Sequence, residues 1–187
     1  VLNGQIASGE VNQYRFSARK GQRLVISTLA RQLIPFIADA VPGWFQPVLV
    51  LCHADGKEAA YQDDYRFNPD PTILCEVPRD GQYVLTIHDS IYRGREDFVY
   101  RISLGELPFI TSIFPLGAST NAAPPIRAQG WNLDSHRLAP PPAGAGPGIH
   151  FLTARKQNLL SQPVPFALDA LPDRAEQEPN QPQERAQ

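Results

Sequence analysis

The feature that most constrains the fold is a strict alternation of apolar and polar residues along short segments. Apolar residues occupy every second position in 98–104, and segments 13–18 and 83–88 repeat the pattern. A period of two places alternate side chains on opposite faces of a β-strand. Turn pairs such as Lys20-Gly21 and Asp55-Gly56 follow these strand-like segments. Short strands separated by regular turns predict an all-β protein built as a sandwich or jelly roll.

The proline content argues against long helices. The chain has 19 prolines among 187 residues, which is about twice the usual share of roughly 5%. Proline lacks an amide hydrogen and disrupts helix interiors. The exception to the strand pattern is segment 31–41, where Leu33, Ile37 and Val41 have helical spacing. This segment predicts a short helix or an ordered crossover loop.

Charge and hydropathy exclude two classes of partner. The net charge is −2, so the chain offers no basic field for nucleic acid. No apolar run approaches the roughly 18 residues of a membrane span. The chain contains no methionine and begins at Val1, so we expect it to come from a longer protein or to have lost a leader.

A change in composition at Gly105–Pro108 predicts a domain boundary. Residues 1–106 form the first predicted domain, and 107–170 form a second, smaller one. Residues 139–148 are only alanine, proline and glycine, which predicts a loop. Beyond Leu171 alanine is the last apolar residue type, so residues 171–187 are predicted to be a flexible linker.

Six short motifs follow one another in order over residues 1–105. They are Asn3-Gly4-Gln5-Ile6, Tyr14-Arg15-Phe16, Leu49-Val50-Leu51 with Asp55-Gly56, Tyr61-Gln62-Asp63-Asp64, Asp80-Gly81-Gln82-Tyr83 and Tyr100-Arg101-Ile102. Together they resemble the bacterial pre-peptidase C-terminal domain family. The chain has Asn12 and Gln13 where that family often carries aspartate. The resemblance implies a secreted, periplasmic or cell-surface protein, hence an extracytoplasmic location, and a domain without catalysis of its own.

The segment 108–133 has a second set of spaced residues. They are Pro108, Ile110, Ile113, Pro115 and Gly117, followed by Ile126, Ala128, Gly130 and Asn132-Leu133. This set resembles the start of an IPT/TIG domain, which has an immunoglobulin-like fold. The expected fold class is therefore a jelly-roll-like β-sandwich followed by a small Ig-like β-sandwich. Glu176–Asn180 resembles the opening of another pre-peptidase domain, so the linker is expected to lead to a further module.

An acidic stretch after residue 62 is the candidate metal site. Its oxygen-bearing side chains are Asp63, Asp64, Asn68 and Asp70. Calcium prefers several oxygen ligands from a flexible loop, and the collagen-binding domains of bacterial collagenases, which are related to the family above, use calcium. Calcium is therefore the candidate cofactor. The alternative is a solvated turn in which Arg66 or Arg93 pairs with a carboxylate.

Aromatic residues cluster around the same loops. The residues selected as candidate ligand contacts are Trp44, Tyr65, Tyr92 and Arg93. Exposed rings stack on sugars or contact proteins. The alternative is a small apolar core beneath a long loop, which would also include Phe45, Tyr61 and Phe67.

Catalytic motifs are absent from the sequence. The four histidines are far apart without an HExxH pattern, and no G-x-S-x-G motif occurs. We therefore predict a non-enzymatic interaction or spacer module that supports neighbouring domains of the same polypeptide. The alternative function is binding of a cell-surface polysaccharide or protein through loop aromatics, with calcium as a candidate requirement.

The two cysteines, Cys52 and Cys75, lie in apolar strand-like runs. Their spacing fits neither a CxxC motif nor a zinc site. Two buried thiols are expected, and a disulfide between two strands is the alternative that an exported protein would permit.

Overall fold

The computed structural model describes residues 1–33, 45–122 and 124–173. The chain divides into two compact units, Val1–Pro108 and Phe109–Gln187. From residue 34 onward, the segment 31–41 lies outside the described residues; residues 31–33 form a turn. Over the described ranges, no helix has the length and apolar character needed to cross a membrane.

The first unit contains eight strands in two sheets. They are β1 (Leu2–Gln5), β2 (Asn12–Ala18), β3 (Arg23–Leu29), β4 (Pro47–His53), β5 (Glu58–Gln62), β6 (Thr72–Glu76), β7 (Gly81–Asp89) and β8 (Val99–Gly105). Sheet I has the order β1-β8-β3-β6, and sheet II has the order β2-β7-β4-β5. All these pairings are antiparallel.

The order of the strands defines a jelly roll. Successive strands alternate between the two sheets, except that β4 and β5 are neighbours in sheet II. This arrangement corresponds to the two Greek keys of an eight-stranded jelly roll. The predicted all-β sandwich is therefore confirmed.

The period of two decides which side chains enter the core. In β7, Tyr83, Leu85 and Ile87 are buried, whereas the intervening Val84 and Thr86 are only partly buried. Apolar side chains of both sheets form one cluster between them. Burial of each large apolar side chain contributes about 1.5–3 kcal/mol before entropy is subtracted. The outward residues Val84, Thr86 and His88 of β7 consequently stay partly exposed.

The second unit is a smaller β-structure. Its strands are β9 (Phe109–Phe114), β10 (Gly117–Ser119), β11 (Ile126–Trp131), β12 (Arg137–Leu138), β13 (Gly148–Leu152), β14 (Arg155–Lys156), β15 (Leu159–Leu160) and β16 (Val164–Asp169). One sheet has the order β12-β11-β9, and another has the order β10-β16-β13, with β10 parallel to β16. The β14–β15 pair is a short separate hairpin. A single apolar cluster joins the two three-stranded sheets. The specific IPT/TIG resemblance stays a prediction.

The two cysteine thiols are free and lie in different sheets. Cys52 belongs to β4 in sheet II, and Cys75 belongs to β6 in sheet I. The expectation that the thiols are unpaired is confirmed, but both side chains are partly exposed, so the expectation that they are buried is wrong. Burial, followed by the nearby carboxylates of Glu58 and Glu76 respectively, raises the pKa of each thiol. A raised pKa lowers the thiolate fraction and hence the reactivity of both groups.

We expect thiol titration of the denatured, unreduced protein to find two free thiols per chain. The physical reason is that each cysteine is held by the register of its own sheet, on opposite sheets of the sandwich. A reduced and denatured sample provides the reference value. A titration that finds no thiol would contradict the expectation.

Candidate functional site

Asp70 of the predicted calcium loop caps a turn. Its side chain is only 2% exposed. Its carboxylate accepts hydrogen bonds from the backbone amides of Ala30, Arg31 and Gln32, at 3.0, 2.8 and 3.0 Å. Three donors satisfy this buried carboxylate, so its burial requires no cation.

The other predicted metal ligands differ from Asp70 in their contacts and exposure. The side-chain oxygen of Asn68 accepts a hydrogen bond from the backbone amide of Asp70 at 3.1 Å, while Asp63 and Asp64 are exposed. Across 1–33, 45–122 and 124–173, no three His, Cys, Asp or Glu residues are grouped to hold a metal. Calcium binding therefore remains a prediction that the local hydrogen bonding does not require.

The tip of this loop is a tight turn. The backbones of Tyr65 and Asn68 exchange two hydrogen bonds of 2.8 and 3.0 Å. Arg66 and Phe67 between them have φ values of 50° and 65°, a conformation that glycine or asparagine adopts more easily. Phe67 is fully exposed, and the Arg66 guanidinium lies 5.6 Å from the centroid of the Tyr65 ring.

A second carboxylate, Asp89, organises the loop after β7. Its side chain is fully buried. It accepts hydrogen bonds from the backbone amides of Gln46, Ile91 and Arg93, at 3.1, 3.2 and 3.0 Å. The Arg93 guanidinium donates two more, at 3.1 and 3.3 Å. Burial alone would raise the pKa of Asp89, but the hydrogen bonds from Arg93 and the amides outweigh it, and the pKa lies below its usual value.

The contacts of Arg93 therefore stabilise the folded protein. It was predicted as a ligand contact, yet its guanidinium pairs with Asp89 and lies 5.9 Å from the centroid of the Phe98 ring. This is the carboxylate pairing that the sequence offered as an alternative, with a different carboxylate from those of the acidic loop. The pair fixes the path of residues 89–93.

The loop held by Asp89 presents Tyr92 to solvent. Tyr92 is 53% exposed and has a φ of 59°. Its amide donates to the Asp89 carbonyl at 2.8 Å, and its carbonyl accepts from the Gly9 amide at 2.9 Å. A positive φ costs a non-glycine residue about 1–2 kcal/mol, so this conformation persists because the surrounding hydrogen bonds impose it.

Three rings lie on the outer side of sheet II. The Tyr92 ring stacks on His88 at a centroid distance of 4.7 Å and an interplanar angle of 5°. Tyr61, on β5, is 47% exposed. Tyr61 and His88 both occupy outward positions, opposite Val50 and Val48 of β4. We call Tyr61, His88 and Tyr92 the aromatic face.

Carboxylates border the aromatic face at Tyr61. The Tyr61 hydroxyl donates a hydrogen bond to Asp63, and Glu58 lies on the same side of β5. Partial burial, then Asp63, then Glu58 and Tyr92, raise the pKa of Tyr61. The tyrosine hydroxyl therefore stays protonated, and the negative charge beside the rings belongs to the carboxylates.

The predicted aromatic cluster is divided by the structure. Phe45 is buried in the core and stacks on Phe98, Tyr65 is partly buried, and Trp44 lies outside the described residues. Of the three predicted ligand contacts that the structure describes, Tyr65, Tyr92 and Arg93, only Tyr92 belongs to the aromatic face. Sequence analysis missed His88, although its outward parity in β7 and its spacing of four from Tyr92 were available signals.

Comparison with known proteins finds similarity among solved structures. No family model and no curated protein matches the chain. Among solved structures, the pre-peptidase C-terminal domain of collagenase from Bacillus anthracis is similar, with 17% identity and a TM-score of 0.37 over 55% of this chain and 85% of that chain. It belongs to the domain family that the motifs of residues 1–105 resemble.

Proposed function

We propose that the protein is a non-catalytic, extracytoplasmic binding module that holds its ligand on the aromatic face of the first unit. The observation that carries the proposal is the conformation and exposure of Tyr92. A fully buried carboxylate with five hydrogen bonds fixes a strained loop, and the result is an exposed ring stacked on His88. Strain that a fold over-determines is common at ligand-binding sites.

The hydrogen bonds of the histidines support a non-catalytic role. His88, His136 and His150 each bond to a backbone carbonyl oxygen, at 2.9, 3.1 and 2.9 Å. The His53 ring lies 5.0 Å from the Tyr83 ring. A histidine that activates a nucleophile needs a hydroxyl or thiol partner within about 3.2 Å, whereas the hydrogen bonds of His88, His136 and His150 go to the backbone.

A spacer role is the second candidate. Two compact all-β units follow one another in a single chain, as in proteins that separate or support neighbouring modules. The two roles are compatible, because a spacer with an exposed aromatic face can also bind a surface ligand. Only the binding role predicts a measurable effect of substitutions at the aromatic face.

The test of binding uses chemical-shift mapping with four probes. They are cellohexaose, chitohexaose, and two nine-residue glycine peptides carrying either lysine or glutamate at every third position. We expect at least one probe to shift the signals of Tyr61, His88 and Tyr92. The variant Tyr92→Ala should weaken that binding about tenfold, because a stacked aromatic contact contributes about 1 kcal/mol or more.

A matched variant controls for the loss of any exposed ring. Phe151→Ala removes an exposed aromatic side chain from β13 of the second unit and should leave the affinity unchanged. If no probe shifts the aromatic face, or if both variants bind equally well, the binding role is wrong and the spacer role remains.

A further inference from the structure

The charges beside the aromatic face indicate what kind of group it recognises. Glu58 lies on the outer side of β5, since it pairs with Cys52, which follows the inward-facing core residue Leu51 in β4. Asp63 accepts the hydrogen bond of the Tyr61 hydroxyl. Two carboxylates therefore flank one ring of the face.

These carboxylates have no basic partner within the described ranges. Salt bridges there include those of Asp55 with Arg79, Asp89 with Arg93 and Asp97 with Arg95. Arg15 is on the same outer side of sheet II, but three strands away from β5, which is about 14 Å at the usual strand spacing. The negative charge next to Tyr61 is thus left for a partner to neutralise.

Tyrosine rings and carboxylates together attract cations. The face of an aromatic ring carries negative electrostatic potential and binds ammonium or guanidinium groups within about 6 Å. Neighbouring carboxylates add a direct charge attraction. The same arrangement repels anionic polymers. A neutral sugar donates hydroxyl hydrogen bonds to carboxylates but lacks the attraction between opposite net charges.

We propose that the aromatic face binds a protein segment through its lysine or arginine side chains, with the cationic group over Tyr61 and Tyr92 and beside Glu58 and Asp63. This inference rests on the proposed binding function and specifies its partner. The observations behind it are the placement of Glu58 and Tyr61 on the same side of β5, the stacking of Tyr92 on His88, and the lack of a salt bridge to Glu58 or Asp63 among the described residues.

The experiment compares three glycine peptides of equal length that carry lysine, glutamine or glutamate at every third position. Binding is measured by chemical-shift titration of the whole chain. We expect the lysine peptide to bind most tightly, and its affinity to fall as salt rises from about 0.05 to 0.5 M, because exposed charge pairs are screened. Glu58→Gln and Asp63→Asn should each weaken the lysine peptide about threefold, within the range of single exposed ion pairs.

Two controls separate charge from general effects. Glu76→Gln removes an exposed carboxylate from β6 in the other sheet and should leave the lysine affinity unchanged. Tyr92→Ala should reduce binding of every peptide that uses the face, because it removes the ring and leaves the carboxylates in place.

The outcomes distinguish this inference from the function on which it rests. If the glutamine peptide or cellohexaose binds as tightly as the lysine peptide, and Tyr92→Ala still weakens binding, the cation preference is overturned and the aromatic face stands as a binding site. If the lysine peptide binds without sensitivity to Glu58→Gln and Asp63→Asn, the preference is likewise overturned. If nothing binds at the face, both proposals fail.

Discussion

Replacing Asp89 with asparagine should lower the free energy of unfolding of the first unit by about 2–3 kcal/mol at pH 7. The carboxylate is fully buried and accepts five hydrogen bonds. Removing one partner of a fully buried ion pair costs about 3–5 kcal/mol. The expected loss is smaller here because the Arg93 side chain is 31% exposed, so water can solvate its charge. Urea denaturation measures the difference.

The pH dependence of the same variant gives an independent check. The pKa of Asp89 is lower in the folded protein than its usual value. Its contribution to stability is therefore fully present above the unfolded pKa of about 3.9 and is lost as the pH falls through the folded pKa. The stability gap between the wild type and Asp89→Asn should be constant from pH 7 to about 5 and shrink in stronger acid.

A matched surface variant controls for the loss of a carboxylate. Asp97→Asn breaks a charged pair with Arg95 that is open to solvent and should have a much smaller effect on unfolding. Equal effects of the two substitutions would show that Asp89 does not organise the loop as described. A stability gap that widens in acid would contradict the direction of the pKa shift.

Replacing Asp70 with alanine should destabilise the first unit by about 2 kcal/mol. The substitution leaves the amides of Ala30, Arg31 and Gln32 without their acceptor, and losing a cap of this kind costs up to about 2 kcal/mol. For a unit of this size, the melting temperature should fall by roughly 10 °C. A thermal melt measures this directly, and Asp64→Ala, at an exposed neighbour, should cause a much smaller change.

The same melts test calcium. Because backbone amides already satisfy Asp70, we expect millimolar calcium and excess chelator to give the same melting temperature for the wild type. A metal at a hundredfold excess over its Kd would add about 2.7 kcal/mol and raise the midpoint on the order of 10 °C. A rise of that size that disappears in Asp63→Ala would restore the calcium site predicted from the sequence.

The strands of the core were predictable because their information is local. The alternation in β2, β7 and β8 identifies the inward residues without knowledge of their partners. The return strand after Asp55-Gly56 was likewise expected, since a hairpin joins residues that are close in sequence. The short β1 is harder to predict, because four residues with a central glycine carry little strand signal.

The candidate site was only partly predictable because its contacts are distant in sequence. Asp70 bonds to residues 38 to 40 positions away, and Asp89 bonds to an amide 43 positions away. In the sequence, Asp70 is one of several clustered acids, and Asp89 stands at the end of a strand without a recognisable motif. Alternation also does not rank aromatic residues by exposure. The difference between Phe45 and Tyr61 depends on how the two sheets pack, and a local pattern does not contain that information.

The Asp89 hydrogen bonds also bear on how a ligand would associate. They hold the Tyr92 loop in place before any ligand arrives, so little backbone ordering accompanies association. We infer that mutations at the aromatic face change mainly the dissociation rate. Loosening the loop through Asp89→Asn should instead add an ordering cost that appears as a less favourable binding entropy. The hydrogen bonds of the buried carboxylate thus hold the binding surface in its final conformation as part of the folded state.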